Sequence, residues 1–471
     1  MGYVYSPAPG RNSAVMNAMI QPWLHLSCVC RHWHDVAIST PSLWRLIILP
    51  PWSSFPFDRI VRQLKQSQNV PIDILVHLRN PYDAGYSHLF IFTLCLLLLP
   101  HIDRWCSFEL RTVSARQMSD ILNEITRTCL PVTSNLKLTA VKLVLLDDIT
   151  SYDYGQTPHD ILSKPFTLFG RSAPYLEDIS LVGLKVDWNQ AWISSASHLT
   201  TLEIKIRHDE DYPSWTQFAT ILHSASRLRV LVFEDFRESV DPAWVDPILG
   251  SMSGDHSTIP IQLLELKELY ISLPTTVIVQ LLRRCYIPAL EKLDIWPLFN
   301  RDEEHNELEA LVAQLVEPMT PCSSSQVQPP PPRSLVASVQ DLSIRWNMPP
   351  NHDDQCIDTL CANLNQLTSL SLHLAGGDAS IDFLFTPTGQ ICDVVLPRLK
   401  NLTILDDWNY LRIRDICALA WQRKDIGVPF NALILRGVGK DHLPEECLFW
   451  FQQNLEKFDF VEESVEYRWF R

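Results

Sequence analysis

The most regular feature of the chain is a six-residue pattern with apolar side chains at its first, fourth and sixth positions. Ten copies recur between residues 176 and 460, and successive copies start 23 to 49 residues apart. They begin at Leu176, Leu199, Leu228, Leu266, Leu290, Val339, Leu367, Leu399, Phe430 and Leu455. Two further candidates begin at Trp105 and Leu138. Because the last two apolar positions of each copy are separated by one residue, each copy predicts a short strand with one buried face.

Helical patterns lie between the predicted strands, with apolar residues near i, i+3, i+4 and i+7. They cover Trp215–Ser226, Thr275–Cys285, Glu304–Val316 and Cys356–Asn365. Strands alternating with helices at intervals of roughly 20–29 residues are typical of leucine-rich repeats, whose units stack and bury each other's apolar faces. We therefore expect an α/β fold: an irregular leucine-rich-repeat solenoid (horseshoe) preceded by a short α-helical segment.

The expected domains follow from where the pattern begins. Residues 1–50 form a partial helical segment, 51–175 a connecting region with early irregular repeats, and 176–471 the solenoid. A Pro-rich linker lies within 317–334, and its four prolines (329–332) are read as a spacer or as a ligand for an SH3-type or WW-type partner. The ninth position of such repeats is usually Asn or Cys, but only Asn347 fits among the ten copies, which predicts irregularity. The alternative is a leucine-rich α/β domain without repeats.

Composition narrows the class of protein. The formal net charge is −15, so general binding to nucleic acid is not expected. The 12 cysteines are irregularly spaced, which favours a reducing compartment over a disulfide framework. The longest apolar run, Leu89–Leu99, is shorter than the roughly 20 residues that cross a bilayer. We therefore expect a cytoplasmic or nuclear protein that does not bind a membrane.

Candidate chemistry is sparse, and we expect neither an enzyme nor a cofactor. No glycine-rich phosphate loop, nucleophile elbow or H-E-x-x-H motif occurs. His305, Glu307 and Cys322 match half of a zinc-deaminase signature, but Ser325 stands where the second cysteine belongs. Another set is metal-capable: Cys28, Cys30, His32 and His34. On a helix, residues i and i+2 point to different sides, so no metal site is expected there.

The N-terminal segment predicts two short helices. Leu26, Val29, Cys30, Trp33 and Ala37 would share one helical face. Thr40 and Pro41 then read as the N-cap and first residue of a second helix. The apolar face of that second helix would be supplied by Leu43, Trp44, Ile47 and Ile48.

This segment, LHLSCVCRHWHDVAISTPSLW, resembles the second half of the F-box of fungal, mushroom-type F-box proteins. The family form is a leucine, then VCR-x-W-x-x-[IV]A, then STP-x-LW. Leu26, Val29-Cys30-Arg31, Trp33, Val36-Ala37, Ser39-Thr40-Pro41 and Leu43-Trp44 match it. Residues 1–21 contain no counterpart of the family's first helix, which carries a Leu-Pro pair, so the resemblance covers a partial F-box. In this family the F-box is commonly followed by leucine-rich repeats in the same chain.

The resemblance implies a substrate-recognition subunit of a cullin-RING (SCF-type) ubiquitin ligase. The F-box-like helices would dock a Skp-type adaptor, and the repeats would bind a protein substrate. The residues implied for adaptor binding are Leu26, Val29, Trp33, Pro41, Leu43 and Trp44. Leu43 and Trp44 are expected to be partly exposed, with the alternative that Trp44 packs against the first repeats. The alternative is a leucine-rich-repeat interaction scaffold with a vestigial F-box and no ligase.

The repeat pattern also predicts where a substrate would bind. Residues at the fifth and seventh positions of each hexamer face away from the buried side, along the concave wall expected of a solenoid. The candidate residues are Lys205, Glu234, Tyr270, Asp294, Trp296, Arg345 and His373, beside Ser272. Trp, Tyr and Arg are enriched in interface hot spots. The alternative is that the insertion after Trp296 covers this side chain.

Overall fold

The protein has a mixed α/β structure, seen here in a computed structural model. It describes residues 28–49, 57–78, 94–129, 137–146, 173–189, 193, 195–207, 212–235, 260–298, 304–319, 333–346, 355–374, 381–385, 394–406, 413–436 and 444–461. The chain forms two compact units, residues 1–198 and 199–471, called unit 1 and unit 2.

Unit 1 contains a parallel sheet whose described strands follow one another in chain order. These strands are β1 (Leu46–Leu49), β2 (Ile72–Leu78), β3 (Trp105–Thr112), β4 (Ala140–Leu145) and β5 (Asp178–Val182). Its described α-helices are α1 (Arg31–Ser39), α2 (Phe57–Gln66) and α3 (Ala115–Cys129). Shorter helical turns cover Pro41–Trp44, Leu94–Leu98 and Leu99–Arg104.

Unit 2 contains a larger parallel sheet with helices between its strands. Its strands are β6 (Thr201–Ile206), β7 (Val230–Asp235), β9 (Glu268–Ser272), β11 (Lys292–Ile295), β14 (Asp341–Trp346), β15 (Ser369–Leu374), β16 (Asn401–Asp406), β17 (Ala432–Arg436) and β18 (Lys457–Val461). Two small ladders join β8 (Ile261–Gln262) to β10 (Cys285–Tyr286), and β12 (Pro318–Met319) to β13 (Arg333–Ser334). The described α-helices are α4 (Trp215–Ser224), α5 (Thr275–Arg283), α6 (Glu304–Val316), α7 (Gln355–Asn363), α8 (Ile413–Asp425) and α9 (Glu445–Asn454). Short 3-10 turns cover Leu335–Ser338 and Asp382–Leu384.

The hexamer pattern corresponds to the strands and to the core. In the nine copies that start from Leu176 to Phe430, the first, fourth and sixth side chains are at most 4 % exposed. Within unit 2 the fourth positions lie opposite one another on neighbouring strands, as Leu202 does with Leu231 and Leu231 with Leu269. Only the last copy, starting at Leu455, keeps its three apolar side chains half-buried. The predicted strands are therefore confirmed.

A backbone hydrogen-bond pattern repeats with the hexamers. The carbonyl at the second position accepts the amides of the second and third positions in the next copy, as Arg229 does from Lys267 and Glu268, both at 2.9 Å. The first residue of many copies donates to the carbonyl three residues earlier, as Leu228 does to Ala225 at 3.0 Å. The residue at that earlier position is also buried and apolar: Ala173, Ala196, Ala225, Leu263, Ile287, Val336, Leu364 and Leu396. The repeating unit is thus longer than the hexamer.

The repeat also begins earlier in the chain than the sequence pattern suggested. Residues 44–49 read Trp44-x-x-Ile47-x-Leu49, and all three apolar side chains are buried. The carbonyl of Arg45, at the second position, accepts the amide of Asp73 in β2 at 2.9 Å. The expectation that Trp44, Ile47 and Ile48 share a helical face is therefore wrong, because residues 46–49 pair with β2 as a strand.

Helices between the strands agree with the sequence pattern to within about two residues at each end, as is usual for helix boundaries. The N-terminal helix differs, because Cys30 is extended (φ −161°, ψ 170°) and α1 starts only at Arg31. A continuous helical face from Val29 to Ala37 is therefore not formed. The ends of the Pro-rich linker pair with each other as β12 and β13, whereas its four prolines lie outside the described residues.

Candidate functional site

The fifth and seventh positions of the unit 2 hexamers lie on one face of the parallel strands, which we call the strand surface. Part of this face is buried, since Ser272, Ser343, His373 and Leu405 are 5, 8, 3 and 1 % exposed. Lys205 lies opposite Glu234 and Glu234 opposite Ser272. Asp294 lies between Tyr270 and Ser343, and Arg345 lies opposite His373. The structure therefore brings the predicted substrate-binding residues side by side on successive parallel strands.

Lys205 occupies the first part of the strand surface and is neutralised by two carboxylates. Its Nζ atom lies 2.8 Å from Glu234 Oε2 and 3.2 Å from Glu203 Oε1. Burial alone would lower the pKa of this ammonium group, but the two glutamates outweigh burial and raise it. Lys205 is therefore a charged side chain that already has its partners within the protein.

Tyr270 lies in the middle of the strand surface and is held by its neighbours. Its hydroxyl donates to Glu268 Oε2 at 2.7 Å, and Lys292 Nζ lies 5.3 Å from the centre of its ring. Lys292 Nζ also lies 3.7 Å from Asp341 Oδ2. Burial and the bond to Glu268 raise the pKa of the Tyr270 hydroxyl, so this group remains a neutral donor.

Trp296 is the centre of an aromatic and cationic cluster. Its ring centre lies 4.7 Å from that of His373, and the guanidinium carbon of Arg345 lies 5.7 Å from it. Trp296 and Arg345 are half-buried, whereas His373 is 3 % exposed. Because His373 is buried, it packs beneath Trp296 and is not placed to contact a partner directly. Arg345 is placed within cation–π distance of the indole.

Polar atoms on the strands next to this cluster have no hydrogen-bond partner among the described residues. Among the described residues, Ser272 Oγ and Arg345 Nε are buried and make no hydrogen bond. The same holds for Arg436 Nε, at the seventh position of the copy that starts at Phe430. An unsatisfied buried polar atom costs about 1–3 kcal/mol, so these atoms are a local cost to stability on this face of the sheet.

The motif that resembles an F-box presents two exposed apolar side chains. Val29 is 67 % exposed and Trp33 is 46 % exposed. Pro41 and Leu43 are half-buried, and Leu26 lies outside the described residues. Large apolar side chains in such positions are available to a partner.

Trp44 is not available in this way, and the expectation that it is partly exposed is wrong. It is 5 % exposed, and its indole Nε1 donates to the carbonyl of Ala37 at 2.7 Å. Trp105, at the first position of another hexamer, donates in the same way to the carbonyl of Leu98, also seven residues earlier. Trp44 is buried because it occupies the first position of a repeat.

Thr40 also has a different role from the one predicted. Pro41 does begin a short 3-10 helix after Thr40, but the Thr40 side chain makes no N-cap hydrogen bond to it. Instead Thr40 Oγ1 donates to the carbonyl of Val36 at 2.7 Å. Thr40 therefore satisfies a carbonyl near the end of α1.

The other chemical candidates are described only in part. In the described part of the chain, no three His, Cys, Asp or Glu side chains are placed to hold a metal ion, and Cys28 and Cys30 are both exposed. Cys322 and the side chain of His305 lie outside the described residues. Where the helices are described, none has the length and apolar character needed to cross a bilayer.

In comparisons with known proteins, neither a family model nor a curated protein matches the chain. The site is therefore defined by its own residues. Sequence reasoning missed Arg436, because the candidate strip was read only as far as the copy that starts at Leu367. Continuing the same seventh-position count for two further copies would have found it.

Proposed function

We propose that the protein is a substrate-recognition subunit of an SCF-type ubiquitin ligase, built as a leucine-rich-repeat solenoid. The observation that carries this proposal is the strand surface, where side chains from successive parallel strands lie in one row around Trp296 and Arg345. A row of this kind suits a protein ligand, because one extended partner can contact many repeats. The surface binds the substrate, and the protein itself catalyses no reaction.

The proposed binding to a Skp-type adaptor depends on the resemblance of residues 26–44 to the F-box. Val29 and Trp33 are exposed within that motif. Burying such side chains against an adaptor is worth about 1.5–3 kcal/mol each. Trp44 of the same motif is buried, whereas Leu43 and Pro41 are half-buried and remain partly accessible. The proposed location is the cytoplasm or the nucleus.

Co-expression with a Skp-type adaptor and a cullin tests this proposal. We expect the full-length chain to co-purify with both proteins. Trp33→Ala should reduce adaptor recovery at unchanged thermal stability. Val61→Ala is the matched control, since Val61 is exposed on the neighbouring helix α2 but lies outside the motif. Failure of the wild-type chain to retain the adaptor would contradict the ligase assignment.

The alternative is an interaction scaffold whose F-box is vestigial. Its supporting observation is that the strand surface needs no adaptor to be formed, since it lies wholly within unit 2. In that case the chain binds its protein partner through Trp296 and Arg345, and the adaptor and cullin are absent from the purified complex.

A further inference from the structure

The last strand of the unit 2 sheet has an open edge. Among the described strands, β18 stands at the end of the order and pairs with β17 alone. The amide of Lys457 in β18 donates to the carbonyl of Asn431 at 3.0 Å. Successive residues of a strand direct their backbone groups to opposite sides, so the amide and carbonyl of Phe458 point to the open edge. Such an edge can pair with a strand from another chain.

The first and last repeats differ in how well their apolar side chains are covered. In the copy that starts at Trp44, the three apolar side chains are at most 5 % exposed. In the copy that starts at Leu455, the three equivalent side chains are half-buried. One of them, Phe458, stacks on Phe451 with ring centres 5.1 Å apart. Terminal repeats need a cap or a partner to cover their apolar core, and at β18 this cover is incomplete in the described part of the chain.

The charges of β18 are complementary to themselves. Lys457 and Asp459 are the two charged residues of this five-residue strand. Lys457 is exposed and Asp459 is half-buried, and neither side chain forms an ion pair or a hydrogen bond with another described residue. If two antiparallel copies of β18 pair about a two-fold axis at Phe458, Lys457 of each copy lies opposite Asp459 of the other. An axis at Lys457 or at Asp459 would instead place like charges opposite each other, which is destabilising.

The register centred on Phe458 also suits the backbone and the apolar side chains. Phe458 of one copy lies opposite Phe458 of the other, and their edge-facing amides and carbonyls exchange two hydrogen bonds. The two-fold axis is perpendicular to the sheet, so equivalent faces of the two copies stay on the same side. The two Phe458 rings therefore meet on the core face, and both Lys–Asp pairs form on the opposite face.

We propose that the protein forms a two-fold symmetric dimer in which the β18 strands of two copies pair antiparallel about Phe458. Charge complementarity is the argument for a second copy as the occupant of the edge. Because the contact is isologous, it closes on itself and stops at a dimer. The inference goes beyond the proposed function and is independent of it, since Trp33, Trp296 and Arg345 take no part in the contact.

Charge reversal of the full-length protein tests the dimer and its register together. Analytical ultracentrifugation at about 0.05 M salt, where screening is weak, gives the dimer dissociation constant. Lys457→Glu and Asp459→Lys each place two like-charged pairs in the contact, so each should weaken dimerisation at least about tenfold. An equimolar mixture of the two variants restores both opposite-charge pairs. The mixture should therefore form a heterodimer about as tightly as the wild type forms its dimer.

Lys267→Glu is the matched control, because it makes the same change at an exposed lysine just before β9, six strand steps from β18. At about 4.8 Å per step this exceeds the screening length, so the dissociation constant should change by less than about twofold. Circular dichroism verifies that every variant folds.

Three results would overturn the inference. The first is a wild type that stays monomeric at its highest soluble concentration, which would indicate a different occupant of the edge, from this chain or another protein. The second is a mixture of Lys457→Glu and Asp459→Lys that forms no heterodimer. The third is an equal loss of dimer in Lys267→Glu, which would assign the effect to net charge and not to β18.

Discussion

Trp44 and Trp296 are the same residue type in two regions of the protein with opposite roles. Trp44 lies at the first position of a hexamer, where it is 5 % exposed and its indole is bonded to the carbonyl of Ala37. Trp296 lies at the seventh position of another hexamer, half-buried and within reach of Arg345. The side of the strand that each occupies decides whether the aromatic ring serves the core or a surface. Residue type alone therefore does not identify a binding residue in this protein.

The largest expected effect is on stability, at the first of these tryptophans. Trp44→Ala should lower the free energy of unfolding by about 3–5 kcal/mol, because it leaves a cavity and removes the partner of the Ala37 carbonyl. Urea unfolding followed by circular dichroism measures this change. Trp33→Ala is the control, since Trp33 is exposed and its loss should cost less than about 0.5 kcal/mol. Equal stability of the two variants would contradict the core role of Trp44.

A smaller effect, on binding instead of stability, is expected at the second tryptophan. Trp296→Ala and Arg345→Ala should each weaken partner binding by about 2 kcal/mol and leave the fold intact. Isothermal titration with the isolated partner gives the affinity, and circular dichroism verifies the fold. Trp421→Ala is the matched control, because this tryptophan is 57 % exposed on α8 and lies away from the strand surface. Loss of folding in both surface variants, or wild-type affinity, would show that the two residues are not the recognition site.

The smallest effect concerns paired charges on the strands of unit 1. Glu109 forms an ion pair with Arg111, and His77 Nε2 lies 3.6 Å from its Oε1 atom. Burial would raise the pKa of this carboxyl, but the nearby His77 and Arg111 side chains lower it below the ordinary value of 4.5. A lowered folded-state pKa stabilises the protein above the unfolded pKa, and that contribution disappears as pH falls through the folded pKa.

The wild-type protein should therefore lose stability more steeply below about pH 4.5 than Glu109→Gln does. Thermal unfolding followed as a function of pH measures the two slopes. Parallel pH profiles would show that His77 and Arg111 do not lower the pKa of Glu109 in the folded protein.

The sequence predicted the parts of the fold that follow from periodicity. Strands were located correctly because the fourth and sixth hexamer positions alternate toward the core, and helices such as α4 follow an apolar period near 3.6. The strand at residues 46–49 was missed because four consecutive apolar residues carry no alternation, so a short helix fitted equally well. The pairing of Arg45 with Asp73, which shows the strand register, joins residues far apart in the chain.

For the candidate site, the sequence predicted which residues share a face of the sheet but not the contacts between their side chains. Counting positions placed Lys205, Trp296 and Arg345 on one surface. It did not show that Lys205 is neutralised by Glu203 and Glu234, or that His373 is buried beneath Trp296. Those contacts depend on neighbouring strands and on side-chain orientation. A linear pattern specifies the face of a strand but not the partners that meet on it.

The most direct test of the account is whether the strand surface contacts a protein partner in cells. Tyr270 is replaced by the photoreactive p-benzoyl-phenylalanine, and Trp421 by the same residue as a control on the helical side. We predict that illumination joins a discrete protein to position 270, and that Arg345→Gln removes this adduct while position 421 gives none. Absence of an adduct at position 270, or the same adducts at both positions, would contradict the account.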